Sequence, residues 1–269
     1  MECPICLKKY ENDIMNEHID KCIEESANEP VLTPIQEKAV KICKRKSMAL
    51  SKQVYHNIVI KAIDLNHNEE KVKRLLDNFS DRVELIINFK ALLFDYFTKD
   101  GVYKNCFEIN PAVKNINRIS AENNLFLKAY DECSGSERVK YGSLNLFNLR
   151  TPTCASYYGE CFMILKENVK KRTSFCCGDS FDMQFQIGTI EYATVILNIL
   201  DSNLLDNLIK YYNNEKYDQN SYINYVEIQI HGPIRFDKDV ELIVVPKINK
   251  DTPNLINFLK KFNIKCVYY

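Results

Sequence analysis

The chain has 269 residues, which is enough for one large domain or about two ordinary domains of roughly 150 residues each. Its 36 basic and 36 acidic residues balance, so overall charge does not favour nucleic acid or an anionic membrane as a partner. Hydrophobic residues at 46% and charged residues at 27% are ordinary for a globular protein and exclude a wholly disordered chain.

The N-terminus and the cysteines bear on the compartment. The sequence opens on Met-Glu-Cys-Pro, without a basic and then apolar leader, and its most apolar stretch, 193–200, is far shorter than the ~20 residues of a membrane span. Eleven cysteines at uneven spacing argue against a fully paired disulfide framework. We expect a cytoplasmic or nuclear protein whose thiols are reduced. Most of the cysteines outside the N-terminal segment are expected to be small buried residues.

Three cysteines and one histidine near the N-terminus have the spacing of a structural zinc site. Cys3 and Cys6 form a C-x2-C pair, and His18 and Cys22 form an H-x3-C pair. Two thiolates on a turn and two ligands one helical turn apart can close a tetrahedron around Zn²⁺. Because so short a segment has almost no core, metal binding would supply much of its folding free energy.

The helix expected between these ligand pairs is acidic, whereas a DNA-reading finger helix offers Arg, Lys or Asn to the bases. Segment 1–28 resembles the ubiquitin-binding zinc fingers of C2HC type in its Cys-Pro-Ile-Cys turn, its single helix and its His-Ile-Asp-Lys-Cys end. The resemblance implies a small ββα finger that contacts ubiquitin through Ile19 and Asp20. A generic protein-binding or purely structural finger is the alternative.

Segment 29–84 is predicted to be a helical linker region. Thr33 and Pro34 suit the N-cap and the first position of a helix, and helical apolar spacing recurs over roughly 54–63 and 69–79. The apolar run that follows, 86–97, fits either a strand or a buried helix.

From about residue 138 the pattern changes to short β-branched or aromatic runs bounded by turn residues, interrupted by helices. The predicted strands are 139–147, 160–165, 173–177, 225–230 and 241–245, and the predicted helices lie near 190–200, 203–212 and 253–262. The fold class predicted from this arrangement is α+β.

One of these strands carries a row of polar groups. Alternation places Tyr225, Glu227, Gln229 and His231 on one face and the apolar residues on the other, buried face. Such a row could serve a ligand, although a half-exposed edge strand would alternate in the same way.

Two other polar clusters could contact a nucleotide. Small hydroxyls before a glycine turn in 172–180 suit a phosphate or ribose, and Arg138 could hold a phosphate through two hydrogen bonds. The sequence contains no Walker or dinucleotide-binding glycine pattern, so neither a P-loop nor a Rossmann turn would hold the nucleotide.

Five motifs in the same order, at 100–108, 138–145, 158–162, 173–180 and 225–235, resemble a mostly bacterial family. That family was long described as a domain of unknown function, and its members include effectors that ADP-ribosylate ubiquitin on threonine. The chain is also similar to the broader mono-ADP-ribosyltransferase pattern of an early Arg, a Ser/Thr strand and a late Glu, which fall here on Arg138, Ser174 and Glu227.

The resemblance implies a split β-sandwich transferase domain over 85–269 with NAD⁺ as substrate. Glu227 would be the catalytic residue that hydrogen-bonds the nicotinamide ribose and stabilises the oxocarbenium-like transition state. Arg138 would hold the pyrophosphate as a second catalytic residue, and Ser174 would brace the nicotinamide end. The further candidates for NAD⁺ contact are Tyr141, Thr173, Asp179, Gln229 and His231.

The chain departs from that family at two places. Lys90 and Pro111 stand within segments where the family tends to show Phe-His-Pro and Ser-Asn-Gly.

Two functional hypotheses follow. The first is an NAD⁺-dependent ADP-ribosyltransferase with a ubiquitin-binding zinc finger, acting on a protein, with ubiquitin itself as the expected acceptor. The alternative is a non-catalytic ubiquitin-binding adaptor with a degenerate transferase domain. Neither hypothesis calls for nucleic acid or a membrane.

Overall fold

The structure, a computed structural model, describes residues 18, 19, 22, 23, 29–112, 115–152, 154–180, 186–218 and 226–269. The chain divides into two compact units, Met1–Val31 and Leu32–Tyr269. In the first unit, His18, Ile19, Cys22 and Ile23 are helical. Within the described residues, no helix is both long and apolar enough to cross a membrane.

The second unit contains the following helices, together with one large sheet. They are α1 (Pro34–Asp64), α2 (Glu69–Arg82), α3 (Phe94–Asp100), α4 (Cys106–Ile109), α5 (Ile116–Leu125), α6 (Thr194–Ile199), α7 (Ser202–Tyr212), α8 (Phe236–Asp239) and α9 (Pro253–Phe262).

Helix α1 begins where the sequence predicts. The Thr33 side chain accepts a hydrogen bond from the Gln36 amide at 3.4 Å, and the Gln36 side chain accepts one from the Thr33 amide at 3.0 Å. This capping box satisfies two amides that a helix start leaves without a partner. The helix then continues from this start through the predicted helical region 54–63 to Asp64, because neither glycine nor proline interrupts it after Pro34.

The strands are β1 (Glu84–Phe89), β2 (Val102–Tyr103), β3 (Lys140–Asn145), β4 (Cys161–Leu165), β5 (Thr173–Cys177), β6 (Gly188–Thr189), β7 (Val226–Ile230), β8 (Ile234–Arg235), β9 (Val240–Val245) and β10 (Lys265–Tyr268). Eight of them form one sheet in the order β10-β9-β4-β1-β3-β7-β5-β6, and β2 pairs with β8. The sheet is mixed, since β9 and β10 are parallel whereas the other neighbours are antiparallel.

The predicted mixture of helices and short strands is therefore confirmed at the level of fold class. The ambiguous apolar run resolves into strand β1 and then helix α3, with the change at Lys90 and the short turn after it. The split β-sandwich and the ββα finger remain predictions.

The core of the second unit joins the helices to the sheet. Phe79 of α2, Phe89 of β1, Phe175 of β5 and Leu208 of α7 are buried members of one apolar cluster. Burial on both faces explains why β1 and β4 are nearly continuous apolar runs. The sheet interior is thus rigid enough to hold polar side chains in fixed positions.

The cysteines differ in exposure more than the sequence predicts. Outside the N-terminal unit, Cys43, Cys161 and Cys176 are buried, Cys106 is exposed, and three others are half-buried: Cys133, Cys154 and Cys266. The prediction that most of these thiols are buried is therefore wrong for the described residues, because several of them lie at the start of a short helix, in loops or on the edge strand β10, where burial is incomplete.

Gly159 allows two backbone segments to approach closely. Its φ is +154°, and a side-chain Cβ there would overlap the Phe89 carbonyl and lie 2.6 Å from the Lys90 nitrogen. Backbone strain alone costs about 1–3 kcal/mol at such a φ. We expect Gly159→Ala to lower the free energy of unfolding by more than this, because the added Cβ also overlaps the Phe89 carbonyl. Chemical denaturation measures the loss. Gly101→Ala is the control, since Gly101 also has a positive φ of +74° but open space around it; equal losses in the two variants would contradict the close approach.

Candidate functional site

The polar residues of β7 lie inside the sheet rather than on an exposed edge. β7 pairs with β3 on one side and β5 on the other, and Glu227 and Gln229 are only 4% and 0% exposed. The alternative of a half-exposed edge strand is therefore wrong. Tyr225, the fourth member of the predicted row, lies outside the described residues.

Gln229 fixes one oxygen of the Glu227 carboxylate. The Gln229 Oε1 accepts a hydrogen bond from the Ser174 hydroxyl at 2.8 Å, which sets the orientation of the amide. The Nε2 then donates to Glu227 Oε1 at 2.9 Å and to the Cys176 sulfur at 3.1 Å. Strand alternation on β5 and β7 thus brings the predicted Ser174, Gln229 and Glu227 together.

The other carboxylate oxygen faces Arg118. The Ser180 amide donates to Glu227 Oε2 at 3.4 Å, and Arg118 Nη1 lies 3.9 Å from the same oxygen. Arg118 also donates to the Ser180 hydroxyl at 3.1 Å, and its guanidinium stacks 3.9 Å above the Tyr141 ring. Burial raises the pKa of Glu227, and hydrogen bonds with Ser180 and Gln229 and the positive charge of Arg118 partly offset this effect.

A cavity of about 130 Å³ opens beside this carboxylate. Glu227 and Arg118 line it together with Asn88, Ser143 and three tyrosines, Tyr103, Tyr141 and Tyr158. The cavity therefore combines one carboxylate, one guanidinium, neutral hydrogen-bonding groups and aromatic faces. That combination suits a small polar ligand that carries a flat ring.

Arg138, the predicted phosphate ligand, is engaged elsewhere. Its Nη1 donates to Glu122 Oε2 at 2.5 Å and its Nη2 to the Tyr130 carbonyl at 3.3 Å, and both members of the ion pair are buried. The Tyr141 hydroxyl donates to the second Glu122 oxygen at 3.1 Å. Arg138 thus supports the wall of the site through Glu122 and Tyr141.

Arg118 and Glu122 were not among the predicted site residues, because no element was predicted over 116–125. Asn115 caps helix α5 by accepting from the Arg118 amide at 3.0 Å, and Arg118 and Glu122 follow at i and i+4 on one face. The signal that could have found them is the Asn immediately before apolar residues at helical spacing.

The remaining candidates for NAD⁺ contact differ in position. The Thr173 hydroxyl donates to the Val169 carbonyl at 2.8 Å, whereas Asp179 is half-buried in the turn before Ser180. His231 is fully buried, with Nδ1 2.6 Å from the Tyr130 hydroxyl and Nε2 3.5 Å from Ser174 Oγ. Thr173 and His231 therefore support the interior of the sheet rather than the cavity.

His231 should make folding stability depend on pH. Burial, and then the positive charge of Arg172, lowers the pKa of His231 to about 3, whereas a histidine in an unfolded chain titrates near 6.5. Between these values the unfolded chain binds a proton that the folded chain does not. Its contribution to stability is therefore complete above about pH 6.5 and is lost as the pH falls, by at most about 1.4 kcal/mol per pH unit.

Urea denaturation between about pH 7.5 and about pH 5 tests this expectation. His231→Gln should reduce the pH dependence, and His56→Gln, at an exposed histidine, should leave it unchanged. A pH dependence that is the same in the wild type and His231→Gln would contradict the assignment.

Only part of the predicted zinc site is described. His18 Nε2 and Cys22 Sγ lie 3.2 Å apart, and Cys22 is buried. Two such ligands on one zinc ion would be about 3.5 Å apart, given the usual bond lengths and a tetrahedral angle. Cys3, Cys6 and Asp20 lie outside the described residues, and the described residues contain no group of three metal ligands.

Comparison with known proteins bears on part of the second unit. A family model described as a protein of unknown function (DUF3626) matches residues 79–209. The matched segment includes α5, β3 and β5, and it ends before β7 and Glu227. No curated protein matches the chain.

Proposed function

We propose that this protein is an NAD⁺-dependent mono-ADP-ribosyltransferase that acts on a protein, with ubiquitin as the proposed acceptor. The observation that carries the proposal is the Glu227 carboxylate, which lines a polar cavity, is held by Gln229 and lies 3.9 Å from Arg118. A buried carboxylate in a fixed orientation can stabilise positive charge that develops on a ribose ring. The neighbouring tyrosines offer flat surfaces for a nicotinamide ring.

The proposed reaction breaks the bond between nicotinamide and C1 of the ribose, and the bonding electrons leave with nicotinamide. The ribose ring then carries positive charge, which the ionised Glu227 stabilises. An oxygen of the acceptor side chain forms the new bond to C1 and releases its proton to solvent. Glu227 must therefore be ionised during the reaction.

We infer that Arg118 contacts the phosphates of NAD⁺ in the role that the resemblance assigns to Arg138. Arg118 lines the cavity, whereas the guanidinium of Arg138 donates to Glu122 and to a backbone carbonyl in the interior. A phosphate could reach Arg138 only if it displaced Glu122 and left that carboxylate buried without its charge partner, which is costly.

The size of the cavity limits how NAD⁺ could bind. Pockets that hold drug-sized ligands have about 300–1,000 Å³, so a cavity of about 130 Å³ admits only the nicotinamide ribose end.

The small size of the cavity also favours a second candidate function, a non-catalytic adaptor that binds ubiquitinated proteins. The departures at Lys90 and Pro111 agree with that second candidate.

Mass spectrometry of ubiquitin incubated with the full chain and NAD⁺ tests the transferase. We expect a mass increase of one ADP-ribose, together with free nicotinamide. Binding of ubiquitin without nicotinamide release would favour the adaptor. The absence of both would contradict both candidates, provided that the protein is folded.

The N-terminal unit is proposed to bind Zn²⁺ through Cys3, Cys6, His18 and Cys22 and to bind ubiquitin through Ile19 and Asp20. The short distance between His18 and Cys22 supports the zinc proposal. A ubiquitin-binding finger in the same chain as a ubiquitin-modifying domain would raise the effective concentration of the acceptor.

We expect the purified protein to contain about one zinc ion per chain, as elemental analysis would measure. Cys22→Ser should lose most of it, because a hydroxyl is a much poorer zinc ligand than a thiolate. Cys106→Ser is the matched control, at an exposed cysteine of the second unit. Wild-type protein without zinc, or equal zinc in both variants, would contradict the site.

A further inference from the structure

Ser143 lies directly opposite Glu227 in the antiparallel pairing of β3 with β7. Side chains of directly opposite residues share one face of a sheet, with Cβ atoms about 4.5–5.5 Å apart. Both residues line the same cavity. A ligand that reaches Glu227 therefore also reaches Ser143.

The Ser143 hydroxyl has no hydrogen-bond partner among the described residues, although the residue is only 1% exposed. A buried hydroxyl without a partner costs free energy, and such groups are rare. β3 is paired with β1 on one side and β7 on the other, so the strand cannot shift to find a partner. The unused hydroxyl is thus held in place beside the carboxylate.

The neighbouring polar groups differ from Ser143 in this respect. Asn88 donates to the Gly159 carbonyl at 3.1 Å, and the Tyr141 hydroxyl donates to Glu122 at 3.1 Å. Ser143 therefore offers both a donor and an acceptor to whatever enters the cavity.

We propose that Ser143 is a ligand-binding residue that hydrogen-bonds one ribose hydroxyl while Glu227 accepts from the adjacent one. This inference rests on the proposed function. A carboxylate can only accept, whereas a hydroxyl can donate or accept, so the pair matches two neighbouring hydroxyls on one ring. A ribose ring is also small enough for a cavity of about 130 Å³.

Equilibrium binding of a non-hydrolysable NAD⁺ analogue, with a carbocyclic ring in place of the nicotinamide ribose, tests the proposal. Ser143→Ala should raise the Kd about tenfold, the value of roughly one hydrogen bond. The Tm of the ligand-free variant should be unchanged or higher, because the substitution removes an unpaired buried hydroxyl. Ser47→Ala is the matched control at a buried serine that accepts from the Thr189 amide at 3.2 Å; it should lower the Tm and leave the Kd unchanged.

Analogues that lack one or the other ring hydroxyl separate a direct contact from an indirect effect. The wild type should lose about tenfold on removal of the hydroxyl that Ser143 binds, and Ser143→Ala should lose little further affinity for that analogue. Equal losses for all analogues, or an unchanged Kd in Ser143→Ala, would overturn this inference alone. A wild type that does not bind the complete analogue would overturn the proposed function, and the inference with it.

Discussion

Glu227→Gln is expected to reduce nicotinamide release from NAD⁺ by at least about 10²–10³-fold, the range lost when one group that stabilises transition-state charge is removed. The amide keeps the size of the side chain and can still accept from Gln229, but it carries no negative charge for the ribose cation. Initial rates of nicotinamide release measure the effect. Glu241→Gln, at an exposed carboxylate of β9, should retain full activity.

The pH dependence of the rate is a second measurement of the same role. Because burial raises the pKa of Glu227, we expect kcat/KM to fall as the pH decreases. The midpoint of this decline should lie above about pH 4.3, the pKa of an ordinary glutamate. Arg118 lowers this pKa, so Arg118→Ala should move the decline to higher pH. An activity that survives in Glu227→Gln, or a decline that Arg118→Ala does not move, would contradict the assignment.

Arg138→Met is expected to destabilise the fold by about 3–5 kcal/mol, because it leaves the carboxylate of Glu122 buried without its charge partner. Burial already raises the pKa of Glu122, and Arg138 is the main opposing influence. Chemical denaturation at neutral pH measures the loss of stability.

The double variant Glu122→Leu with Arg138→Met should recover much of that loss, since two apolar side chains can replace a buried ion pair. The Tyr141 hydroxyl would still lack its acceptor, so the recovery should be incomplete. If Arg138→Met were as stable as the wild type but had a raised KM for NAD⁺, the pyrophosphate role would return from Arg118 to Arg138.

Local patterns predicted most of the elements that build the site. Alternating and apolar runs predicted β3, β4, β5, β7 and β9, and the Thr-Pro pair predicted the start of α1, because these signals depend on neighbouring residues. The short strands β2, β6, β8 and β10 gave too little periodicity to predict. Helix α5 was not predicted, although Asn115 is a suitable N-cap, so the predicted site lacked Arg118 and Glu122.

The sequence by itself determined which chemical groups are available: a glutamate on one strand, serine and threonine hydroxyls on another, and an arginine before β3. Only the tertiary structure decided which of them share a cavity. The sheet order places β7 between β3 and β5. Ser143 of β3 and Ser174 of β5 therefore flank β7, which carries Glu227, on its two sides. Arg138 is buried in an ion pair with Glu122, whereas Arg118 lines the cavity. Partner choice of this kind depends on contacts between residues far apart in the chain, which no local pattern encodes.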